Sequence, residues 1–338
     1  MAAETPVPRK AARAFLDAHG WQGIQPTLLA DDASFRKYFR LRDGDRRAVL
    51  MDAPPPQEDV RPFVTVATHL YRLGLSAPRV DAAEPHAGFL LLEDLGDDTF
   101  TRALNAGASE ADLYARAVDA LLALHAHPAQ THVDCPAYDD ATLDREALLL
   151  TDWFLPEWAG KETDADVRAA YLAAWHSVYP LARIGGTTLV LRDYHVDNLV
   201  SLDRPGIRGC GLLDFQDALI GPAAYDLASL IGDARRDVSP AVVRASIDAY
   251  LSARPQIDRA AFEAALAILS AQRSAKIAGI FVRLFRRDGK PHYLKHIDRV
   301  WRQLNADLAH PALAPVRAWF DAHVPAEWRA RPKAEIAA

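Results

Sequence analysis

Cysteine and methionine are scarce, two of each in 338 residues. Cys135 and Cys210 stand far apart and form no C-x-x-C pair, which excludes a disulfide framework and a closely spaced structural zinc site. No block of Lys and Arg stands out, and the formal net charge is −6, so a nucleic-acid partner is not expected. No apolar run approaches membrane-spanning length, and the opening MAAETPVPRKAARAF lacks the apolar centre of a signal peptide. Internal repeats and low-complexity blocks are absent too. These absences lead to the expectation of a reduced, cytoplasmic, monomeric protein with no membrane partner.

What is present is ordinary globular composition, 50% hydrophobic and 25% charged, on a chain long enough for about two domains or one two-lobed unit. Residues 9–20 read as a short helix ended by Gly20. After a polar turn at Asp31, Asp32, Ala33 and Ser34, the residues Phe35, Phe39 and Leu41 alternate with Arg36, Tyr38 and Arg40, which is strand periodicity. Asp43-Gly44 then supplies a hairpin turn, and Ala48–Met51 the returning strand. A helix is read over 57–73, and an apolar strand in GFLLLEDLG (88–96) runs into an acidic turn. From Ser109 onward helices dominate, including 113–124, 142–158, 165–180, 241–253, 259–287, 293–310 and 316–323. The helix over 142–158 takes Thr142 or Asp144 as its N-cap. It sets Glu146 and Asp152 beside Trp153 and Trp158, a pairing that suits either a sugar-binding wall or a plain amphipathic core helix. His125 and His127 are read as lining a helix end.

The chemistry concentrates in LVLRDYHVDNLVSLDRPGIRGCGLLDFQDALIGPAAYD, which begins at Leu189. Two acid-and-amide clusters each follow a short apolar strand. The pattern R-D-x-x-x-x-N, then an apolar strand ending in D-F, is what phosphoryl transfer requires. One carboxylate must orient the attacking hydroxyl and take its proton, and Asp193 fits. Hard oxygen donors must hold a magnesium ion on the nucleotide phosphates, and Asn198 and Asp214 fit. His195 lies inside the first loop, in reach of an acceptor or as an orienting group. Asp226 precedes Leu227, Leu230 and Ile231 and reads as a helix-start carboxylate bracing the loop.

These residues resemble the aminoglycoside phosphotransferase family, in which the loop reads approximately H-G-D-x-x-x-x-N and the metal strand ends in D. Here the equivalents are LRDYHVDN and LLDFQD. The resemblance implies an α+β, protein-kinase-like two-lobed fold, with a small antiparallel-sheet N-lobe over residues 1–95. A mainly helical C-lobe follows over 96–325, and a tail over 326–338. It implies ATP and Mg2+ as cofactors, with Asp193 as base and Asn198 and Asp214 on the metal. Asp226 and Arg192 act as support, and Ser34, Phe35, Arg36, Glu93 and Leu95 lie about the nucleotide. Glu146, Trp153 and His195 are the expected acceptor contacts.

Within the family, DDASFRKYFR, VLMDAPP, FLLLEDLG and GIFVRLFRRDGKPHYLKHI are most similar to the bacterial anomeric sugar kinases. That likeness implies transfer to the C1 hydroxyl of N-acetylmuramate or N-acetylglucosamine in peptidoglycan recycling, feeding a uridylyltransferase. An aminoglycoside, choline-like or fructosamine acceptor would use the same loop, and a nucleotide-binding module without turnover is the non-enzymatic alternative.

The departures from the family are also absences. Arg192 and Leu191 stand where the family has Gly and His. The glycines of the usual nucleotide loop are missing. Met51 stands where the small lobe normally carries a phosphate-binding lysine, so Arg36 or Lys37 is expected to serve instead. No A-P-E segment follows Asp214, which argues against a protein kinase.

Overall fold

In the computed structural model, which describes residues 7–31, 35–330 and 332, residue alternation builds the first sheet. Strands β1 (Thr27–Asp31), β2 (Lys37–Asp43), β3 (Arg46–Asp52), β4 (Val80–Glu84) and β5 (Phe89–Leu92) are antiparallel in the order β1-β2-β3-β5-β4. Gly44, with φ 58°, turns the chain between β2 and β3, where Asp43 pairs with Arg46. Successive side chains in a strand point to opposite faces. Phe39 and Leu41, Ala48 and Leu50, and Phe89 and Leu91 therefore share one face, where they pack with Phe15, Leu16 and Trp21. Tyr38, Val49 and Leu92 take the other face and line a cavity. β1 and β4 went unread in the sequence because their apolar alternation is weak. The polar turn at 32–34 lies outside the described residues.

Further along, β6 (Thr187–Val190), β7 (Leu199–Ser201), β8 (Cys210–Leu212) and β9 (Leu219–Pro222) form two nested antiparallel pairs, β7 with β8 and β6 with β9. The chain divides into two compact units. The first takes residues 1–109, 126–135 and 196–218, and the second 110–125, 136–195 and 219–338. The division thus crosses the chain several times, where the sequence reading draws a single boundary between lobes after residue 95 and sets a tail apart after 325. One crossing falls inside the central loop, between His195 and Val196.

The second unit is built on the helix Arg259–Asp288, which packs against the helices Ile297–Leu308, Asp140–Leu149 and Ala224–Ile231. By length and mean hydropathy it would pass as a membrane span, contrary to the sequence reading, but 83% of its apolar window is buried inside the protein. A core helix passes the same test, and this one is core. The helix read over 142–158 is three pieces. Asp140–Leu149 is capped by Asp139, not Thr142 or Asp144, since the Asp139 carboxylate accepts from Thr142 N at 2.9 Å. A π-helical turn over Leu150–Phe154 and the short helix Leu155–Ala159 follow. At the junction the Leu149 carbonyl closes on the long helix at Gly279, where an added Cβ would stand 2.1 Å from the oxygen.

That contact sets a test of the packing. Gly279→Ala forces two backbones apart in a filled interior, and overpacking of this kind costs about 1–3 kcal/mol. Thermal or urea unfolding is expected to show a loss in that range or above.

Candidate active site

In the first unit, the cavity on the second face of the sheet has a volume of about 420 Å³, the size of a small-ligand site. Tyr38, Val49 and Leu92 give it an apolar wall, Glu93, Asp94 and Leu95 one rim, and Asn198 and Asp214 its polar end. The rim is fixed by charge. Arg40 reaches Asp94 at 2.7 Å and Asp97 at 2.6 Å, and Asp94 accepts from Gly96 N at 3.0 Å. Glu93 donates its amide to Arg79 O (2.9 Å), while its carboxylate meets Arg204 at 2.6 Å.

At the polar end, Asp214 holds a left-handed backbone with φ 55°, which Asp tolerates better than most residues. Its Oδ1 accepts from Gln216 Nε2 at 2.9 Å and lies 3.5 Å from the Arg36 guanidinium, and its Oδ2 is 3.4 Å from Asn198 Nδ2. One carboxylate and one amide, with water and phosphate oxygens completing the sphere, suit magnesium. Among the described residues no group of three or more His, Cys, Asp or Glu is arranged to hold an ion.

The sequence left open which cation replaces the missing lysine. Met51 is fully buried in β3, and the cation beside Asp214 is Arg36. Lys37 sits in the β2 ladder opposite Asp52. Phe35 is 64% exposed and its amide donates to Glu58 at 3.1 Å. Ser34 lies outside the described residues.

In the second unit, the loop after β6 turns at Arg192, whose φ is 70°. A left-handed backbone at a residue with a Cβ costs about 1–2 kcal/mol, so neighbours must hold it. Asp226 does so by accepting from Leu191 N at 2.7 Å and from Arg192 N at 2.8 Å. Burial pushes the Asp226 carboxyl up to about 7, against those two amides, which favour its charged form.

The side chain of Arg192 is held as well. Glu146 Oε1 accepts from Arg192 Nη2 and from Lys276 Nζ (2.8 Å), Glu146 Oε2 accepts from Tyr138 OH, and Lys276 also reaches Tyr225 OH at 3.3 Å. Burial alone would raise the Glu146 carboxyl, but Lys276 and Arg192 outweigh it and hold it below its ordinary value. Glu146, one of the acceptor contacts expected from the sequence, is 7% exposed and has both oxygens engaged inside the protein. Trp153 lies half-buried in the π-helical turn.

Asp193 follows Arg192 and inherits this field. Burial would push its carboxyl up, yet Lys276, then His195, Arg273 and Arg192, hold it below the usual carboxylate range. It is charged at neutral pH and competent to accept a hydrogen bond from a hydroxyl. His195 is pushed down by burial and then by Arg235, so its ring is neutral at pH 7. Its Nε2 faces Arg235 Nη1 at 3.2 Å and accepts from it, placing the ring proton on Nδ1. Lys276 and Arg40 escaped the sequence reading. Arg40 left a trace, an Arg inside an apolar strand with an acid-rich turn downstream, whereas Lys276 sits in a helix whose spacing reads as pure core.

A family model described as "Phosphotransferase enzyme family" matches residues 26–267. The chain belongs to that family. A curated relative from Caulobacter vibrioides, named N-acetylmuramate/N-acetylglucosamine kinase, is 41% identical over 95% of this chain and 98% of its own. One of the same name from Pseudomonas aeruginosa is 39% identical over 88% and 89%. Among solved structures, a choline/ethanolamine kinase family protein from Mesorhizobium loti aligns with TM-score 0.63 at 15% identity, over 91% of this chain and 98% of that one. Likenesses that distant carry the fold alone, and the fold is kinase-like, α+β and two-lobed. As a member of the phosphotransferase family the chain is a phosphotransferase, and the buried loop aspartate held in its charged form is Asp193.

Lys276→Met tests the field around that aspartate. Breaking a buried ion pair costs about 3–5 kcal/mol, so the unfolding midpoint falls. With the first of the positive charges gone, the Asp193 pKa rises, and an acid limb absent from the wild type between pH 5 and 8 enters the rate profile from below. Lys276→Arg keeps the charge and leaves that limb out of the window.

Proposed function

We propose that this chain is an ATP-dependent, magnesium-requiring sugar kinase that phosphorylates the anomeric C1 hydroxyl of N-acetylmuramate and N-acetylglucosamine. The observation that carries the acceptor is the shared name of the curated relatives, 34–41% identical over 85–95% of this chain. The chemistry is supported by the presence of Asp193, Asn198 and Asp214 in family order.

In this reading Asp193 accepts a hydrogen bond from the C1 hydroxyl and takes its proton as the oxygen attacks the terminal phosphorus of ATP. The new P–O bond forms as the bond to the ADP oxygen breaks. Asn198 and Asp214 hold magnesium, which neutralises charge on the phosphate oxygens when bound. Arg36 adds a cation there, in the office of the missing lysine, while Glu93 and Leu95 border the adenine. Arg192 and Asp226 keep the base in place. The product, a sugar 1-phosphate, is the substrate type that a nucleotidyltransferase consumes, which fits peptidoglycan recycling in the cytoplasm.

The test is ADP release over a panel of sugars, aminoglycosides and choline, with phosphorus NMR of the product. A resonance coupled to the anomeric proton of N-acetylmuramate or N-acetylglucosamine is expected. Turnover of only aminoglycosides or choline would reject the acceptor. Asp193→Asn is expected to lower kcat about 10²–10⁴-fold, the range for loss of a general base, with folding and ATP binding retained. Arg36→Ala is expected to raise the ATP Michaelis constant by about tenfold, the scale of one charge-assisted contact. An unchanged value would return the phosphates to another cation.

A further inference from the structure

The cavity of the first unit has a rim at Glu93, Asp94 and Leu95 and a polar end at Asn198 and Asp214, and one hairpin reaches both. β7 begins directly after Asn198, and β8 ends two residues before Asp214. Leu213 N donates to Asn198 O at 2.9 Å, which closes the open end of the hairpin beside those two side chains. The turn end, closed by Leu202 N donating to Gly209 O at 3.0 Å, carries Arg204. The fork of this guanidinium spans two acceptors. Its Nη2 donates to Glu93 Oε1 at 2.6 Å, and its Nη1 to Ser76 Oγ at 3.1 Å. Ser76 in turn donates to Arg208 O at 2.8 Å, and its carbonyl accepts from Leu212 N at 2.9 Å. On the other strand, Ser201 N donates to Asp98 O at 2.7 Å.

The hairpin also packs on the rim itself. A Cβ added at Gly211 in β8 would stand 3.3 Å from Leu95 Cδ1. Charge points the same way. Of the three rim carboxylates that line the cavity, Asp94 and Asp97 are bonded to Arg40. The third, Glu93, has Arg204 on Oε1 and accepts from the Arg79 amide on Oε2 at 3.3 Å. The side chains of Arg204 and Glu93 are 24% and 21% exposed, and a partly buried pair is screened less than one in open solvent. A carboxylate beside a cavity repels a polyphosphate unless a cation holds it. A nucleotide in this cavity has its base at the rim and its phosphates at the polar end, so its affinity depends on the spacing the two ends keep.

We propose that Arg204 is a positioning residue for nucleotide binding: by holding Glu93, it keeps the rim of the cavity at a fixed spacing from the hairpin end that carries Asn198 and Asp214. The proposal rests on the nucleotide half of the kinase reading and not on the identity of the sugar. Its test is calorimetric titration of the wild type and variants with MgATP, beside a thermal unfolding midpoint for each without nucleotide. Arg204→Gln is expected to raise the MgATP dissociation constant about tenfold, the scale of one charge-assisted contact, with partial recovery in Arg204→Lys. Glu93→Gln is expected to raise it as well, and the double variant no further than Arg204→Gln, because the pair acts as a unit. A brace without this role would lower the unfolding midpoint and leave the dissociation constant where it was, and that result in a folded Arg204→Gln overturns the proposal. Glu93→Gln keeps the shape of the side chain and carries the same test where Arg204→Gln does not fold: an unchanged dissociation constant there overturns the proposal. Losses that add in the double variant overturn it too. A wild type that binds no MgATP overturns the nucleotide reading and this proposal with it, whereas binding by the wild type with no change in either single variant overturns this proposal alone.

Discussion

One buried carboxylate organises the reactive loop. Glu146 sits in the interior with Arg192, Lys276 and Tyr138 on its two oxygens. An ion cluster in such a place adds little net stability, because the cost of removing the charges from water offsets their attraction. It fixes position instead. Remove the acid and two cations remain buried without it; remove Lys276 and both Glu146 and the Asp193 field change. The backbone of the loop is strained at Arg192, and that strain persists only because Asp226 holds the two amides and Glu146 holds the guanidinium.

The sheet of the first unit solves a different problem with the same economy. Period-two alternation gives each strand an apolar core face and a second face for a ligand. The exception is Arg40, buried within β2 and bonded to Asp94 and Asp97. A charge in a core strand is costly unless paired, and its partners here shape the rim of the cavity. The cation beside Asp214 belongs to the same account. Met51 is buried and uncharged in β3, and a positive charge beside Asp214 comes from Arg36 at the entry to β2.

How much of this was legible in the sequence follows from the range of each interaction. The β2–β3 hairpin was readable because its alternation and its Asp43-Gly44 turn are local. The helix Arg259–Asp288 was readable because its apolar spacing persists over many turns. β1 and β4 were not, since strands half in solvent carry weak patterns and owe their existence to the neighbours they pair with. Asp193, Asn198 and Asp214 could be singled out because the two acidic clusters are close in sequence. Glu146 was noticed only for its neighbours in sequence. A carboxylate beside tryptophans looks like a sugar wall, but its partner Lys276 is 130 residues away, and no local pattern announces such a pair. Arg204 was invisible for the same cause, since what distinguishes it from other arginines is the carboxylate it touches.

Among the described residues, the non-glycine positions with positive φ are Arg192 and Asp214. Both lie in the stretch that carries the acids, one next to Asp193 and the other Asp214 itself, at the polar end of the cavity. Chains place side chains in this region rarely, and where they do, the surroundings must supply the energy. Arg192 is the sharper case, because glycine would adopt the turn without strain. An arginine accepts a cost of about 1–2 kcal/mol for the same backbone, and gives in return a guanidinium that reaches Glu146. The arginine is therefore an exchange: conformational ease at the turn is given up for a charged tie that holds the residue before Asp193. That exchange makes Arg192, Glu146 and Lys276 a single device, and it explains how the loop can carry an arginine at a turn that glycine would take freely.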